Sequence, residues 1–446
     1  MFTKSRRQPE LRLAFLTTLL FSLVFSCFSQ IQPDAGNWKT WIVSANEVTI
    51  AAPPTKEQTQ KELAAIKEKL SKQDDKTLQQ IKYWDAGSPS YRWNEIASSM
   101  ISMRDIGTFF RTPTAWMNMA IYDATVAAWK AKYSYLRKHP SQMDATLKPL
   151  VDVPATPSYP CEHTVTAAAA ANVLAYFFPA KADSIFNLAK EASQSRINAG
   201  VQFPSDVDAA WKLGEQVALK IIEQAKKDGS DAKWTGTMNA DPKRWRGETP
   251  IGVMAGTYKP IVLKSGDQFR PAAPPDFAND MQQLKSFKQN SQSIHTAYHW
   301  ASVNSFEFWT QLVSQKIFEN RMDRNTPACA RIYSVLNVAL HEATIVIMDA
   351  KYAYWGIRPF QYDTTYKPLL FTPPFPGYPS GHATASSTAA TVLEYYFPAD
   401  AGLFRKIAKE CADSRFYGGI HFQIDNTVGL EVGRSVGNYV AQTQGK

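Results

Sequence analysis

Sliding the sequence over itself by 219 residues brings two long stretches into register without a gap. "PCEHTVTAAAAANVLAYFFP" (Pro160–Pro179) falls on "PSGHATASSTAATVLEYYFP" (Pro379–Pro398). Asn118, Lys132, Tyr133 and Tyr135 fall on Asn337, Lys351, Tyr352 and Tyr354. Further on, Ser195, Arg196, Gly200, Phe203 and Asp206 fall on Ser414, Arg415, Gly419, Phe422 and Asp425. A single offset held over roughly a hundred residues reads as one module written twice, near 100–220 and 319–440. Whatever this chain folds into must accommodate two copies of one unit.

Each copy reads as helical. "VLNVALHEATIVIMDAKYAYW" has apolar residues at helical spacing, and "HATASSTAATVLEYYF" is a small-residue helix suited to close packing. "LFRKIAKECADSRFY" and "TVGLEVGRSVGNYVAQ" add two more. No stretch of sustained period-two alternation demands a sheet. The expected fold is all-α, with two related helix bundles from an internal duplication. Between them, residues 226–304 are rich in Pro, Gly, Asp and Lys yet too aromatic for a disordered linker, and read as an ordered, loop-rich connector. Residues 30–95 read as an N-terminal helical extension, with Leu63, Ile66 and Leu70 at helical spacing.

Three segments of the second copy carry chemistry. In "KYAYWGIRP", Lys351 and Arg358 are nearly two helical turns apart, which would aim both cations the same way. "PSGH" before a helix offers first-turn N–H groups and the Ser380 hydroxyl as an anion cradle, with Gly381 admitting close approach. In "SRFYGGIHFQID", His421 and Asp425 are four apart; on a helix they would share a face, and the carboxylate would orient the imidazole. Lys351, Arg358 and Arg415 with Ser380, Gly381, His382 and His421 are what a tetrahedral oxyanion requires. One imidazole can attack or ligate the central atom and the other can protonate a leaving oxygen.

The set K-x6-RP, PSGH and SR-x5-H-x3-D, in that order, resembles the signature of the vanadium haloperoxidase and type 2 phosphatidic acid phosphatase superfamily. "PPFPGYPSGHAT", the "SGDQFRP" stretch around Gln268 and the paired modules resemble the haloperoxidase branch over residues 95–446. The resemblance implies that Lys351, Arg358, Ser380, Gly381 and Arg415 hold oxyanion oxygens. It makes His421 the vanadium ligand, or the phosphorylated nucleophile of a phosphatase. His382 becomes the acid–base, Asp425 the partner of His421, and Phe375 a wall on the halide side. The leading expectation is a haloperoxidase with vanadate as cofactor and halide and hydrogen peroxide as partners. The runner-up is an acid phosphatase with no cofactor and a phosphate monoester as substrate. A non-catalytic anion-binding scaffold ranks third. A homo-oligomer is implied by the resemblance alone.

The first copy weighs these roles. There Arg358 becomes His139, Ser380 becomes Cys161, Gly381 becomes Glu162 and His421 becomes Gln202. A carboxylate then stands where the anion would sit. Lys132, His163, Ser195, Arg196 and Asp206 are kept, so those residue types also serve as scaffold. The boundaries are therefore 1–29 signal peptide, 30–95 extension, 96–225 degenerate module, 226–304 connector and 305–446 catalytic module. His341 and Glu342 read as packing or supporting residues.

The remaining features bound rather than define. A net charge of +9 without a dense basic stripe argues against nucleic acid. A basic start followed by "LAFLTTLLFSLVFSCF" (Leu13–Phe28) reads as an export signal, with cleavage after Ser29 or lipidation at Cys27. The expected location is periplasmic or secreted, with lipid anchoring the alternative. Cys161, Cys329 and Cys411 read as buried thiols.

Overall fold

The computed structural model describes residues 32–101, 109, 110 and 112–444 of the chain. Residues 1–29, with the expected export signal and Cys27, lie outside them. Among the described residues there is no strand, only one isolated bridge between Arg244 and Gly356.

The first half runs through α1 (Lys56–Leu70), α2 (Asp75–Asp85), α3 (Pro89–Met100), α4 (Pro113–Tyr135), α5 (Pro140–Met143), α6 (Glu162–Phe177), α7 (Ala182–Asn198) and α8 (Pro204–Ala225). The second runs through α9 (Ala278–Ser286), α10 (Ser291–Ser302), α11 (Ser305–Glu319), α12 (Thr326–Tyr354), α13 (Pro359–Tyr362), α14 (Gly381–Tyr396), α15 (Ala401–Tyr417) and α16 (Gln423–Gln444). Each of the first eight of these helices has its counterpart eight places later. Each half opens on a short 3-10 turn, Pro33–Asn37 or Val253–Thr257. Both also carry a cis X–Pro bond, Tyr159-Pro160 and Tyr378-Pro379.

The correspondence reaches further forward than the gap-free offset. Asp123 of α4 accepts from the backbone N–H groups of Trp41, Ile42 and Val43, and Glu342 of α12 accepts from those of Ile261, Val262 and Leu263. Glu62 of α1 accepts from Ser205 N–H, as Asp280 of α9 does from Ile424 N–H. Trp84 of α2 donates to Glu191, and Trp300 of α10 to Glu410. The segments read as an extension and a connector thus supply the same parts to their respective bundles. The strap before α1 and its twin before α9 each cap a buried carboxylate.

Local chemistry explains the helix starts. Thr55, Asp74, Asn290 and Asn325 accept from N–H groups of the first turn, and Pro leads α3, α4, α5, α8 and α13. α4 and α12 pack together at the centre, inside one hydrophobic cluster that spans both halves. α12 is long and apolar enough to cross a bilayer, yet 94% of its apolar window is buried by the rest of the chain, so it is a core helix. α14 lies directly on α16: a Cβ at Gly429 would meet Ser380 O at 2.9 Å. This close approach fixes the start of α14 against the start of α16, and the site lies between those two ends.

Candidate functional site

Lys351 sits in the last turn of α12, which stops at Tyr354; Trp355 then takes a left-handed conformation, φ 51°. Arg358 caps the separate short helix α13. The two cations therefore do not converge through helical phase, as their spacing suggested. They converge because both are held by one loop. Lys351 Nζ donates to Pro376 O (2.6 Å) and Gly377 O (2.8 Å), and Arg358 Nε donates to Phe375 O (3.2 Å). Phe375 lies across both, its ring centroid 5.1 Å from Lys351 Nζ and 5.3 Å from Arg358 Cζ.

His421 lies before α16 rather than on it, which corrects the expectation of a shared helix face. Asp425, in the first turn of α16, reaches back. Its Oδ2 accepts from Phe422 N–H (3.1 Å) and from His421 Nδ1 (2.9 Å). Arg358 Nη1 donates to Ile420 O (2.7 Å) and to His421 Nε2 (3.0 Å). A guanidinium can only donate, so Nε2 carries the lone pair and Nδ1 the proton. Burial holds His421 well below the usual imidazole range, and neighbouring Arg358 and Lys351 push the same way. Burial raises Asp425 to about 7 against the pull of Arg358 and Lys351.

Ser380 is the N-cap of α14, and its backbone N–H donates to Asp425 O (3.0 Å). Its Oγ is buried without a hydrogen-bond partner among the described residues, and so is Arg358 Nη2. Gly381 follows; a Cβ there would meet only Ile347 Cγ2, at 3.7 Å. Arg415 approaches from α15, its Nε donating to Ser414 Oγ (2.9 Å) and its Nη2 to Ala297 O (3.1 Å). His382 is half-buried beside Lys351, Gly381 and Phe375 in a pocket of about 90 Å³. Burial, then Arg415, Lys351 and Arg358, lower its basicity. Burial lowers Lys351 well below its ordinary value, and lowers Arg358 and Arg415 to about 10.

All the residues expected at the site are therefore brought to one place. None of Lys351, Arg358 and Arg415 makes a salt bridge among the described residues, although Lys351 and Arg358 are essentially inaccessible to solvent. Buried cations ordinarily carry partners. Three positive charges, an unpartnered hydroxyl and an unpartnered guanidinium nitrogen fit a multiply charged oxyanion, whether phosphate or vanadate. No group of three or more His, Cys, Asp and Glu side chains that could hold a bare metal ion occurs among the described residues. His421 would be the single protein ligand to an oxyanion's central atom.

The remaining residues singled out in the sequence support the frame. Glu342 clamps the strap, and His341 Nδ1 bonds Thr112 Oγ1. Gln268 accepts from Lys264 N–H in an exposed turn. The three cysteines are buried free thiols, raised to about 11 (Cys161) and about 12 (Cys329, Cys411) by burial.

Comparison with known proteins bears on the fold that carries this site. A family model for the PAP2 superfamily matches residues 114–229, and one for the VCPO second helical-bundle domain matches residues 402–445. No curated protein sequence matches the chain. Among solved structures, a bacterial vanadium-dependent iodoperoxidase is 21% identical with a TM-score of 0.56, over 88% of this chain and 98% of its own. A bacterial vanadium-dependent chloroperoxidase in its holo form is 15% identical with a TM-score of 0.58, over 77% and 92%. Its apo form gives 16% and 0.59, over 77% and 94%. The all-helical fold is thus that of the vanadium haloperoxidases.

Proposed function

We propose that this chain is a vanadium-dependent haloperoxidase whose working site is the second-half pocket. The observation that carries the reading is the cluster of three buried cations, none of them in a salt bridge among the described residues, around Ser380, Gly381 and His421. The likeness of fold to vanadium peroxidases, over 88% of this chain in one case and 77% in another, favours vanadate as the resident anion. Bound there, vanadate would supply the oxidation of halide by hydrogen peroxide.

The chain's own residues do the rest. Lys351, Arg358 and Arg415 offset the anion's charge in a site where water cannot, which makes each contact stronger than at a surface. Ser380 Oγ and the first N–H groups of α14 add neutral donors. Asp425 holds His421 as the Nδ1–H tautomer and leaves Nε2 free to bond, once Arg358 Nη1 yields it. His382, neutral through burial and the nearby cations, can accept a proton from an incoming group and return it to a leaving oxygen. Phe375 screens Lys351 and Arg358 from water.

A second reading comes from the chemistry of the cradle, since phosphate asks for the same donors: there it binds a phosphate monoester and His421 Nε2 attacks phosphorus. The PAP2 match, over residues 114–229, lies in the first half. One experiment separates the two. Purified protein is loaded with orthovanadate, freed of excess, and assayed for bound vanadium by elemental analysis. Oxidation of iodide and bromide by peroxide follows, with p-nitrophenyl phosphate hydrolysis measured in parallel on vanadate-free protein. The expected result is about one vanadium per chain, halide oxidation, and loss of both in His421→Ala. Ester hydrolysis with no halide oxidation by the loaded protein would overturn the leading reading. Absence of both activities in folded protein would leave the anion-binding scaffold.

A further inference from the structure

The pocket beside His382 has two unlike walls. One is Lys351, Gly381 and His382, the edge of the cradle. The other is apolar: Phe109, Phe110 and Phe306 face Ile251, Val303 and Met348. Halide and peroxide are small and polar and gain nothing from such a wall. With Phe375, four phenylalanine rings line a recess that reaches the surface, which is what a bound organic group requires.

We propose that this recess is a slot for a single-ring apolar organic substrate held next to the oxyanion cradle. The inference rests on the reading of the cradle as an oxyanion site and adds the substrate class to it. The free volume, about 90 Å³, is of the same order as the ~150 Å³ apolar cavity that takes up benzene, and too small for a fused polycycle. The slot is specific to the second half. The twin pocket in the first half is far larger, about 520 Å³, and its lining sets Asp85, Glu162, Arg196 and Arg324 around a single indole, Trp129, with no phenylalanine.

Under the leading reading the ring is halogenated where it sits. An organic C–H, one halide, one hydrogen peroxide and one proton give a C–halogen bond and two waters. The halide loses two electrons, which peroxide accepts, and the ring proton leaves to solvent through His382. Under the phosphatase reading the same slot would take the organic group of the ester.

Binding tests the slot apart from activity. Inorganic phosphate, methylphosphonate and phenylphosphonate are titrated calorimetrically into vanadate-free protein. All three present a tetrahedral oxyanion, and only the last carries a ring. Phenylphosphonate is expected to bind at least about tenfold more tightly than methylphosphonate, the apolar burial of one ring being sufficient for that. Val303→Phe, which fills the slot, should erase the preference. Phe306→Ala, which opens it, should reduce the preference and serves if the first variant fails to fold. Equal affinities for the two phosphonates with phosphate still bound would overturn the slot. A preference that survives both variants would place the ring elsewhere and also overturn it. If none of the three anions binds, the cradle itself fails, and the slot with it.

Discussion

The two halves build the same pocket and fill it differently. Lys132 Nζ donates to Pro157 O and Ser158 O, as Lys351 does to Pro376 O and Gly377 O. His139 bonds Thr156 O and Val201 O, the counterparts of the carbonyls that anchor Arg358. Arg196 Nη2 donates to Ile81 O, as Arg415 Nη2 does to Ala297 O. On this shared frame the first half is closed internally. Glu162 pairs with Lys132 (2.8 Å), Asp85 with Arg196 (2.8 Å), and Asp206 with Arg137 (2.6 Å). Gln202 and Ser158 hydrogen-bond each other (3.1 Å) where the second half has His421 and Gly377. In the second half Glu162 becomes Gly381, and Asp85, by its place beside Trp84, becomes Ala301. Two acids are missing beside two cations that remain. The difference teaches that the first half carries its anion as a side chain and that the second leaves the matching cations without one, as the proposed function requires.

Installing the twin's acid should have the largest effect. A Cβ fits at Gly381, and Gly381→Glu would improve helix propensity in the first turn of α14. The new carboxylate would pair with Lys351 as Glu162 does with Lys132. A tethered anion competes at an effective concentration far above that of a free one. Vanadate or phosphate affinity is expected to fall by about 10³-fold or more, with halide oxidation lost in parallel. The unfolding temperature should hold or rise. A variant that binds oxyanion as the parent does would break the comparison.

The converse substitution should cost stability. Burial pushes the Glu162 carboxyl up, but Lys132 beside it holds the group down at about 2, so it is ionised. Glu162→Gly strands Lys132, and breaking a buried pair in this way costs ~3–5 kcal/mol. Chemical denaturation measures it. Partial rescue by added phosphate or tungstate would show the twin to be a masked oxyanion site. The absence of rescue would show that Gln202 and Ser158 close it independently.

Much of this was legible in the sequence, and the limit is instructive. From Asn118 to Asp206 one offset aligns the copies, so the changes at His139, Cys161, Glu162 and Gln202 stand out directly. Ahead of that stretch, small insertions and deletions break the register. "AGNWK" at Ala35 and "AGTYK" at Ala255 mark the same turn, and Trp84 and Trp93 correspond to Trp300 and Trp309, but at shifted spacings. A gap-free comparison passes over them, and with them the loss of Asp85 at Ala301. The misread local geometry has a related cause. Spacings of four and seven suit a helix, yet α12 ends between Lys351 and Arg358, and His421 stands before α16. The residues meet through carbonyl anchors and a helix cap, neither of which has a periodic signature.

The straps offer a control, because there the halves agree. Asp123 and Glu342 are both raised to about 7 by burial, against the pull of three backbone N–H groups each. A carboxyl whose value is raised on folding binds a proton in the folded state that the unfolded chain has lost. Stability is then greatest below the ordinary carboxylate range and falls as pH rises from about 4 to 7. Denaturation midpoints across that window should show the decline. Asp123→Asn and Glu342→Gln should each flatten it, at a cost of ~1–3 kcal/mol for the N–H groups left short of an acceptor. A large difference between the two variants would mean that the straps, too, have diverged.

The smallest effect should come from restoring the second acid. Ala301 lies at the exposed end of α10, one residue beyond Trp300, as Asp85 lies one beyond Trp84. Ala301→Asp would bring a carboxylate towards Arg415 from the solvent side. Solvent screens such a pair, so it competes only in part for the guanidinium. Oxyanion affinity is expected to drop about three- to tenfold, read by calorimetry with phosphate, and the loss should shrink at high salt. Combined with Gly381→Glu it should add little, since the anion is already displaced. If Ala301→Asp alone matched Gly381→Glu in effect, Arg415 rather than Lys351 would be the dominant cation of the cradle, and the acid that distinguishes the halves would be Asp85 rather than Glu162.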